Sequence, residues 1–189
     1  YRGAQTVVLD LDGATVLPGL VDSHTHVFEL GEVLSRVSLV GVETEAEAVA
    51  RVAERAREVP AGEWIVAFGW DDGAWADRYP DLTHLSERVP DHPVFMRGLH
   101  GFAAWGNRLA LERAGIDADT RAPTGGEIGR FADGSPNGLL LNRAVPLLLE
   151  AIPEAGPAQL AAQVTDALRQ MARDGYVAVH EAGTPAAAM

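Results

Sequence analysis

Apolar and polar positions follow two different periods along the chain, and each period predicts one kind of element. Residues 63–69 and 93–97 are short, nearly continuous apolar runs, which is the pattern of buried strands. Residues 44–59 and 157–174 carry apolar side chains at helical spacing opposite a polar face, which predicts amphipathic helices. Short loops separate these segments, so their order predicts an α/β fold with parallel strands.

Weaker patterns predict the remaining elements. Asp12-Gly13 stands between two short β-branched runs and predicts a hairpin near the start of the chain. Asn107 is placed to cap a helix, as Thr44 is for the helix over residues 44–59. We further predict helices over residues 29–37, 82–88, 107–115 and 139–151, a hairpin over 124–138, and a final strand over 176–180.

Residues 16–28 hold the candidate chemistry of the chain. A Pro-Gly turn precedes an apolar strand, and successive side chains of a strand point to opposite faces, so Asp22, His24 and His26 fall on one face. Two neutral imidazoles at positions i and i+2 can bind one divalent ion such as zinc. A catalytic zinc usually takes three protein groups, so the other ligands have to come from elsewhere. The alternative is a histidine pair that binds no metal.

Composition narrows the possible partners. The 189 residues are 47% hydrophobic, as in an ordinary globular protein, and their net charge of -12 argues against nucleic acid and anionic membranes as partners. No apolar run approaches the roughly 20 residues of a membrane span. Disulfides and thiolate ligands are excluded because the sequence contains no cysteine. Every basic residue is an arginine, so no lysine is present.

The segment Pro18–His26 resembles the first-strand signature of the amidohydrolase superfamily. Later stretches resemble the branch called amidohydrolase family 3, which includes enzymes similar to N-substituted formamide deformylase. The resemblance covers nearly the whole chain. The stretches that carry it are residues 64–75, 97–111, 123–138 and 175–183.

This resemblance implies a partial metal-dependent hydrolase (β/α)8 TIM barrel. Residues 1–17 are expected to be the last strands of a small flanking β-sandwich, and residues 18–189 the first part of the barrel, truncated at the C-terminus. A complete barrel of this kind takes roughly 250 residues. We therefore expect the 189-residue chain alone to be inactive, with the general base beyond residue 189.

The activity implied by the resemblance is hydrolysis of a non-peptide carbon–nitrogen bond in a small amide or formamide. His24 and His26 would bind a divalent metal, zinc, while Asp22 would orient a ligand through a hydrogen bond. Many members bridge two metals with a carboxylated lysine, which this chain cannot supply. His180 and Glu181 are a weaker alternative as ligands. Glu181 stands where the family commonly has Asp.

The resemblance also places a substrate pocket near the loop after the strand over residues 63–69. Its candidate residues are Trp70, Asp71, Trp75 and His100. Core packing is an equally good interpretation of the two tryptophans, and a structural role is an alternative for His100.

The partner expected for such a hydrolase is a small amide substrate, and neither nucleic acid nor a membrane is expected. We also expect a cytoplasmic protein that can form a homo-oligomer. A non-catalytic half-barrel module, which associates with itself or with a partner chain, is the alternative from a different class.

Overall fold

The computed structural model describes residues 2–75 and 79–183. The strands are β1 (Leu20–Thr25), β2 (Val37–Ser38), β3 (Ile65–Trp70), β4 (Val94–Gly98), β5 (Ala103–Gly106), β6 (Gly126–Arg130), β7 (Pro136–Asn142) and β8 (Tyr176–Glu181). The helices are α1 (Val27–Ser35), α2 (Glu45–Arg55), α3 (Leu82–Arg88), α4 (Arg108–Ala114), α5 (Val145–Leu149) and α6 (Pro157–Arg173).

The strands form two sheets. β1 and β8 pair in parallel, and the other six strands lie in the order β2-β3-β4-β5-β7-β6. Within the larger sheet β2, β3 and β4 are parallel, whereas β5, β7 and β6 pair antiparallel. The α/β class is therefore confirmed. The described strands of residues 18–183 lie in two sheets, one of them mixed, rather than in one parallel sheet. A partial barrel therefore stays a prediction.

Helices α1 and α6 pack against each other and against β8 in a small core of their own. Val27, Ala167 and Met171 are buried there together. The two helices approach closely at Gly31, where a Cβ would stand 2.4 Å from the carbonyl oxygen of Gln163. This four-element unit brings the first and last described strands of the chain side by side.

Asn107 ties the six-stranded sheet to its helices. Its fully buried side chain accepts hydrogen bonds from the N–H groups of Val94 and Ala110, both at 3.0 Å. Its amide nitrogen donates to the carbonyl oxygens of Val89 and His92, both at 2.8 Å. The predicted cap of α4 is confirmed, and the same residue also fastens the start of β4.

The prediction of a helix over residues 139–151 is wrong in its first half. Residues 139–142 end strand β7, which pairs with both β5 and β6, and only Val145–Leu149 is helical. A run of consecutive leucines carries no period, so it fits a buried strand as well as a buried helix. Asn142, at φ 52°, ends the strand, and Pro146 stands in the first turn of the helix that follows.

Residues 2–19 form two turns but no strand. The Asp12-Gly13 turn is present, with φ values of 50° and 82° and a hydrogen bond of 2.9 Å from the N–H of Ala14 to the carbonyl of Leu11. The flanking runs find no strand partner within residues 2–75 and 79–183 and leave Val7 82% exposed. A hairpin alone is marginal in water. The assignment of residues 1–17 to a β-sandwich stays a prediction.

Candidate metal centre

His24 and His26 lie together at the carboxyl end of β1. Their ring centroids are 5.6 Å apart and the ring planes meet at 81°. His24 belongs to the strand, whereas His26 is the residue that immediately precedes helix α1. Both side chains are exposed. The structure thus brings the two predicted ligands together as exposed neighbours.

Asp22 acts on the backbone of this pair. Its Oδ1 accepts a hydrogen bond of 3.1 Å from the backbone N–H of His24. The contact fixes the chain at the strand end, where the pairing of β1 with β8 is irregular between Asp22 and Thr25. Asp22 therefore contacts a candidate ligand through the backbone of His24.

Glu181, which the sequence suggests only as a weaker alternative ligand, lies next to His26. Its Oε2 accepts hydrogen bonds from the backbone N–H groups of Val27 (2.5 Å) and Phe28 (3.3 Å), and its Oε1 accepts one from Gly183 (2.6 Å). Oε1 is 3.9 Å from Nδ1 of His26. The hydrogen bond from Gly183, followed by those from Val27 and Phe28, lowers the pKa of this carboxyl.

The register of the parallel pair puts Glu181 in this position. Thr25 and Glu181 are partners across β1 and β8, and the N–H of Ala182 donates to the carbonyl of Thr25 at 2.8 Å. The chain then passes the histidine ring so closely that a Cβ on Gly183 would stand 2.9 Å from Nδ1 of His26. No local sequence signal could have found this contact, because Glu181 and Val27 are 154 positions apart.

The donor chemistry of the site fits part of a metal coordination sphere. Two neutral imidazoles are suitable ligands for zinc and its neighbours. Within residues 2–75 and 79–183, however, no group of three or more His, Cys, Asp or Glu side chains is placed to hold a metal ion. Both oxygens of Glu181 already accept backbone hydrogen bonds. The described residues therefore offer two candidate ligands but not a complete coordination sphere.

Trp70 and Trp75 lie in the core of the larger sheet, the alternative to a pocket wall. Trp70 is 0% exposed and Trp75 is 6% exposed. Their indole N–H groups donate to the carbonyl oxygens of Met96 (3.0 Å) and Val42 (3.1 Å). An indole whose N–H has a backbone partner can be buried completely. Both rings are thus packed inside the described core, and their contact with a substrate stays a prediction.

Asp71 and His100 are close to each other on the surface. Nε2 of His100 is 4.0 Å from Oδ1 of Asp71. His100 also borders a cavity of about 180 Å3 whose wall includes Asp72, Phe102 and Asn142. The two residues are thus neighbours, as a shared pocket requires, and their contact with substrate stays a prediction.

Among the helices of residues 2–75 and 79–183, none combines the length and the apolarity needed to cross a membrane.

Known proteins resemble the chain over most of its length. Protein LONG AFTER FAR-RED 3 of Arabidopsis thaliana is 34% identical over 154 residues, 82% of this chain and 26% of that protein. N-substituted formamide deformylase of Arthrobacter pascens is 33% identical over 147 residues, 76% of this chain and 27% of that protein. An uncharacterized metal-dependent hydrolase from Pyrococcus furiosus has a crystal structure that superposes with a TM-score of 0.66 at 24% identity, covering 90% of this chain and 33% of that one.

Paired imidazoles at the end of a parallel strand are two of the protein groups that a divalent ion such as zinc can take as ligands. The chain belongs to the amidohydrolase family, whose model matches residues 7–188. The predicted family is confirmed. The chain spans about a quarter of the length of the two relatives named above. The likeness to the Pyrococcus furiosus structure supports the fold alone.

Proposed function

We propose that the protein is a metal-dependent hydrolase of a non-peptide carbon–nitrogen bond in a small amide or formamide. The observation that carries this proposal is the pair of exposed imidazoles at the end of β1, 5.6 Å apart, in a chain of the amidohydrolase family. The substrate class draws on the relative named N-substituted formamide deformylase.

His24 and His26 would hold a divalent ion, zinc, through their neutral ring nitrogens. When bound, such an ion lowers the pKa of its water to about 7 and polarises a carbonyl group. Asp22 holds the backbone of His24, and Glu181 holds the start of α1 directly after His26. The chain's own part in the reaction is thus to present two ligands on a fixed backbone.

The parallel pairing of β1 with β8 supports the barrel part of the proposal. Two parallel strands, with a helix after the first and a helix before the second, are the pattern of adjacent strands in a β/α barrel wall. In this arrangement β2 to α5 form a separate α/β unit inserted between the two barrel strands, and residues 1–17 lead in from the β-sandwich.

The test measures formate release from N-substituted formamides by the protein as its gene encodes it. We expect release that stops with a chelator, returns with Zn2+, and falls at least about a hundredfold in His24→Ala and His26→Ala. His84→Ala is the matched control, since His84 is an exposed histidine of α3 that pairs with Glu45. Release that survives both the chelator and His24→Ala would contradict the proposal. Zinc binding without hydrolysis of any amide would favour the non-catalytic module.

A further inference from the structure

We propose that Glu181 is a positioning residue that fixes His26 for metal binding by capping helix α1 from the neighbouring strand. The inference rests on the proposed function, because it concerns the same pair of histidines. Its basis is the geometry at the start of α1, where His26 follows β1 and precedes the helix, whereas the side chain that caps the helix comes from β8.

His26 occupies the N-cap position of α1 without capping it. Its side chain makes no hydrogen bond to the first turn. Residues at this position are usually Ser, Thr, Asp or Asn, whose side chains bind the free N–H groups of the first turn. The imidazole therefore takes no part in capping, and its nitrogens are not engaged by the first turn of the helix.

Glu181 supplies the missing cap. Its Oε2 accepts hydrogen bonds from the N–H groups of Val27 and Phe28, which are the first two residues of the helix. A carboxylate at a helix N-terminus is also favoured by the helix dipole. The backbone on the C-terminal side of His26 is therefore held by a side chain of β8.

The other oxygen of Glu181 organises the chain that passes the ring. Oε1 accepts the N–H of Gly183, and Gly183 lies against the imidazole of His26. The direct distance of 3.9 Å between Oε1 and Nδ1 of His26 exceeds a hydrogen bond. Glu181 therefore acts on His26 through two backbone segments, residues 27–28 and Gly183, rather than through a direct hydrogen bond to the ring.

The consequence for metal binding is pre-organisation. A ligand held in place by its surroundings loses less freedom when the metal binds, and removal of such an outer partner typically weakens metal binding about 10- to 100-fold. In Glu181→Gln one acceptor oxygen becomes an NH2 group, which cannot accept a backbone N–H. This variant breaks one arm of the cap and keeps the size of the side chain.

The first experiment is a Co2+ titration of the wild-type protein, Glu181→Gln and Glu29→Gln, with circular dichroism to verify folding. Glu29 is the matched control, an exposed glutamate in the first turn of α1. We expect Co2+ affinity to fall about tenfold in Glu181→Gln and to stay within about twofold in Glu29→Gln. Wild-type affinity in a folded Glu181→Gln protein would overturn the inference. A wild-type protein that binds no Co2+ would contradict the proposed function and remove the basis of the inference with it.

A second measurement needs no variant. If Glu181 couples the helix start to the metal ligand, metal binding must in turn stabilise the cap, since coupling between two sites is reciprocal. Zn2+ added to the wild-type protein should slow the hydrogen exchange of the Val27 and Phe28 amides and leave the carbon-13 shift of the Glu181 carboxyl nearly unchanged. Unchanged exchange would overturn the coupling. A large shift of the carboxyl carbon would make Glu181 a direct ligand and overturn the positioning role.

Discussion

Gly183 lies against the imidazole of His26, so that the last described residue of the chain bounds a candidate metal ligand near its start. A Cβ on Gly183 would stand 2.9 Å from Nδ1 and 3.2 Å from Cε1 of the ring. The contact joins the ends of β1 and β8 at the candidate site. A change at Gly183 should therefore reach the histidine without touching the core.

Gly183→Ala should displace the ring of His26 and weaken metal binding. The ring is 44% exposed and can swing toward solvent, so we expect little loss of stability, within about 1 kcal/mol. Co2+ affinity and urea unfolding of the variant measure the two effects. Gly156→Ala is the control, because a Cβ there meets nothing within 4 Å. Equal Co2+ affinities in both variants would show that the contact does not restrain the ring.

Gly31→Ala should destabilise the unit formed by β1, α1, α6 and β8. Alanine normally favours a helix interior over glycine by about 0.5–1 kcal/mol. Here the added Cβ would stand 2.4 Å from the backbone carbonyl oxygen of Gln163, so the two helices must separate. Overpacking of this kind costs about 1–3 kcal/mol, which urea unfolding would measure. A variant as stable as the wild-type protein would mean that α1 and α6 do not cross this closely.

Trp70→Phe tests whether the tryptophans belong to the core or to a pocket. The indole of Trp70 is buried, packs 5.6 Å from that of Trp75, and donates to the carbonyl of Met96. Loss of this hydrogen bond and of ring volume should cost about 1–3 kcal/mol of unfolding free energy. KM for any amide substrate should stay the same. A raised KM in a variant of unchanged stability would support the prediction that Trp70 lines a substrate pocket.

Asp117→Asn tests the pH dependence of the loop after α4. Hydrogen bonds from the Thr120 hydroxyl and from the N–H groups of Asp119 and Thr120 lower the pKa of Asp117. A carboxyl whose pKa is lower in the folded protein adds stability above its unfolded pKa, and this stability is lost as pH falls through the folded pKa. The wild-type protein should therefore exceed the variant in stability at neutral pH, and the difference should shrink in acid. A difference that grows on acidification would contradict this sign.

Local signals in the sequence predicted the parts of the fold that depend on local chemistry. Thr44 caps α2, where its hydroxyl accepts the N–H of Glu47, and Asn107 caps α4, both as predicted from the residue types at these positions. Helix α6 and strands β3, β4 and β8 also lie where the periodic patterns put them. Each of these signals acts within a few residues.

The features that the sequence did not predict depend on long-range pairing. Leu140 and Leu141 join a strand because β5 and β6 pair with them on both sides. The cap that Glu181 provides to α1 depends on the register of β1 and β8. The proximity of His24 and His26 could be predicted because they are close in sequence, whereas Glu181, which holds the backbone after His26, lies 154 positions from Val27.

The most direct test of the account is a measurement of Zn2+ binding by equilibrium dialysis. The wild-type protein, His24→Ala, His26→Ala and the control His84→Ala would be compared at neutral pH. The account predicts that the wild-type protein and the control bind Zn2+ with equal affinity and that each of the other two variants loses at least about tenfold. Equal binding by all four proteins would contradict the claim that the two histidines at the end of β1 form a metal site.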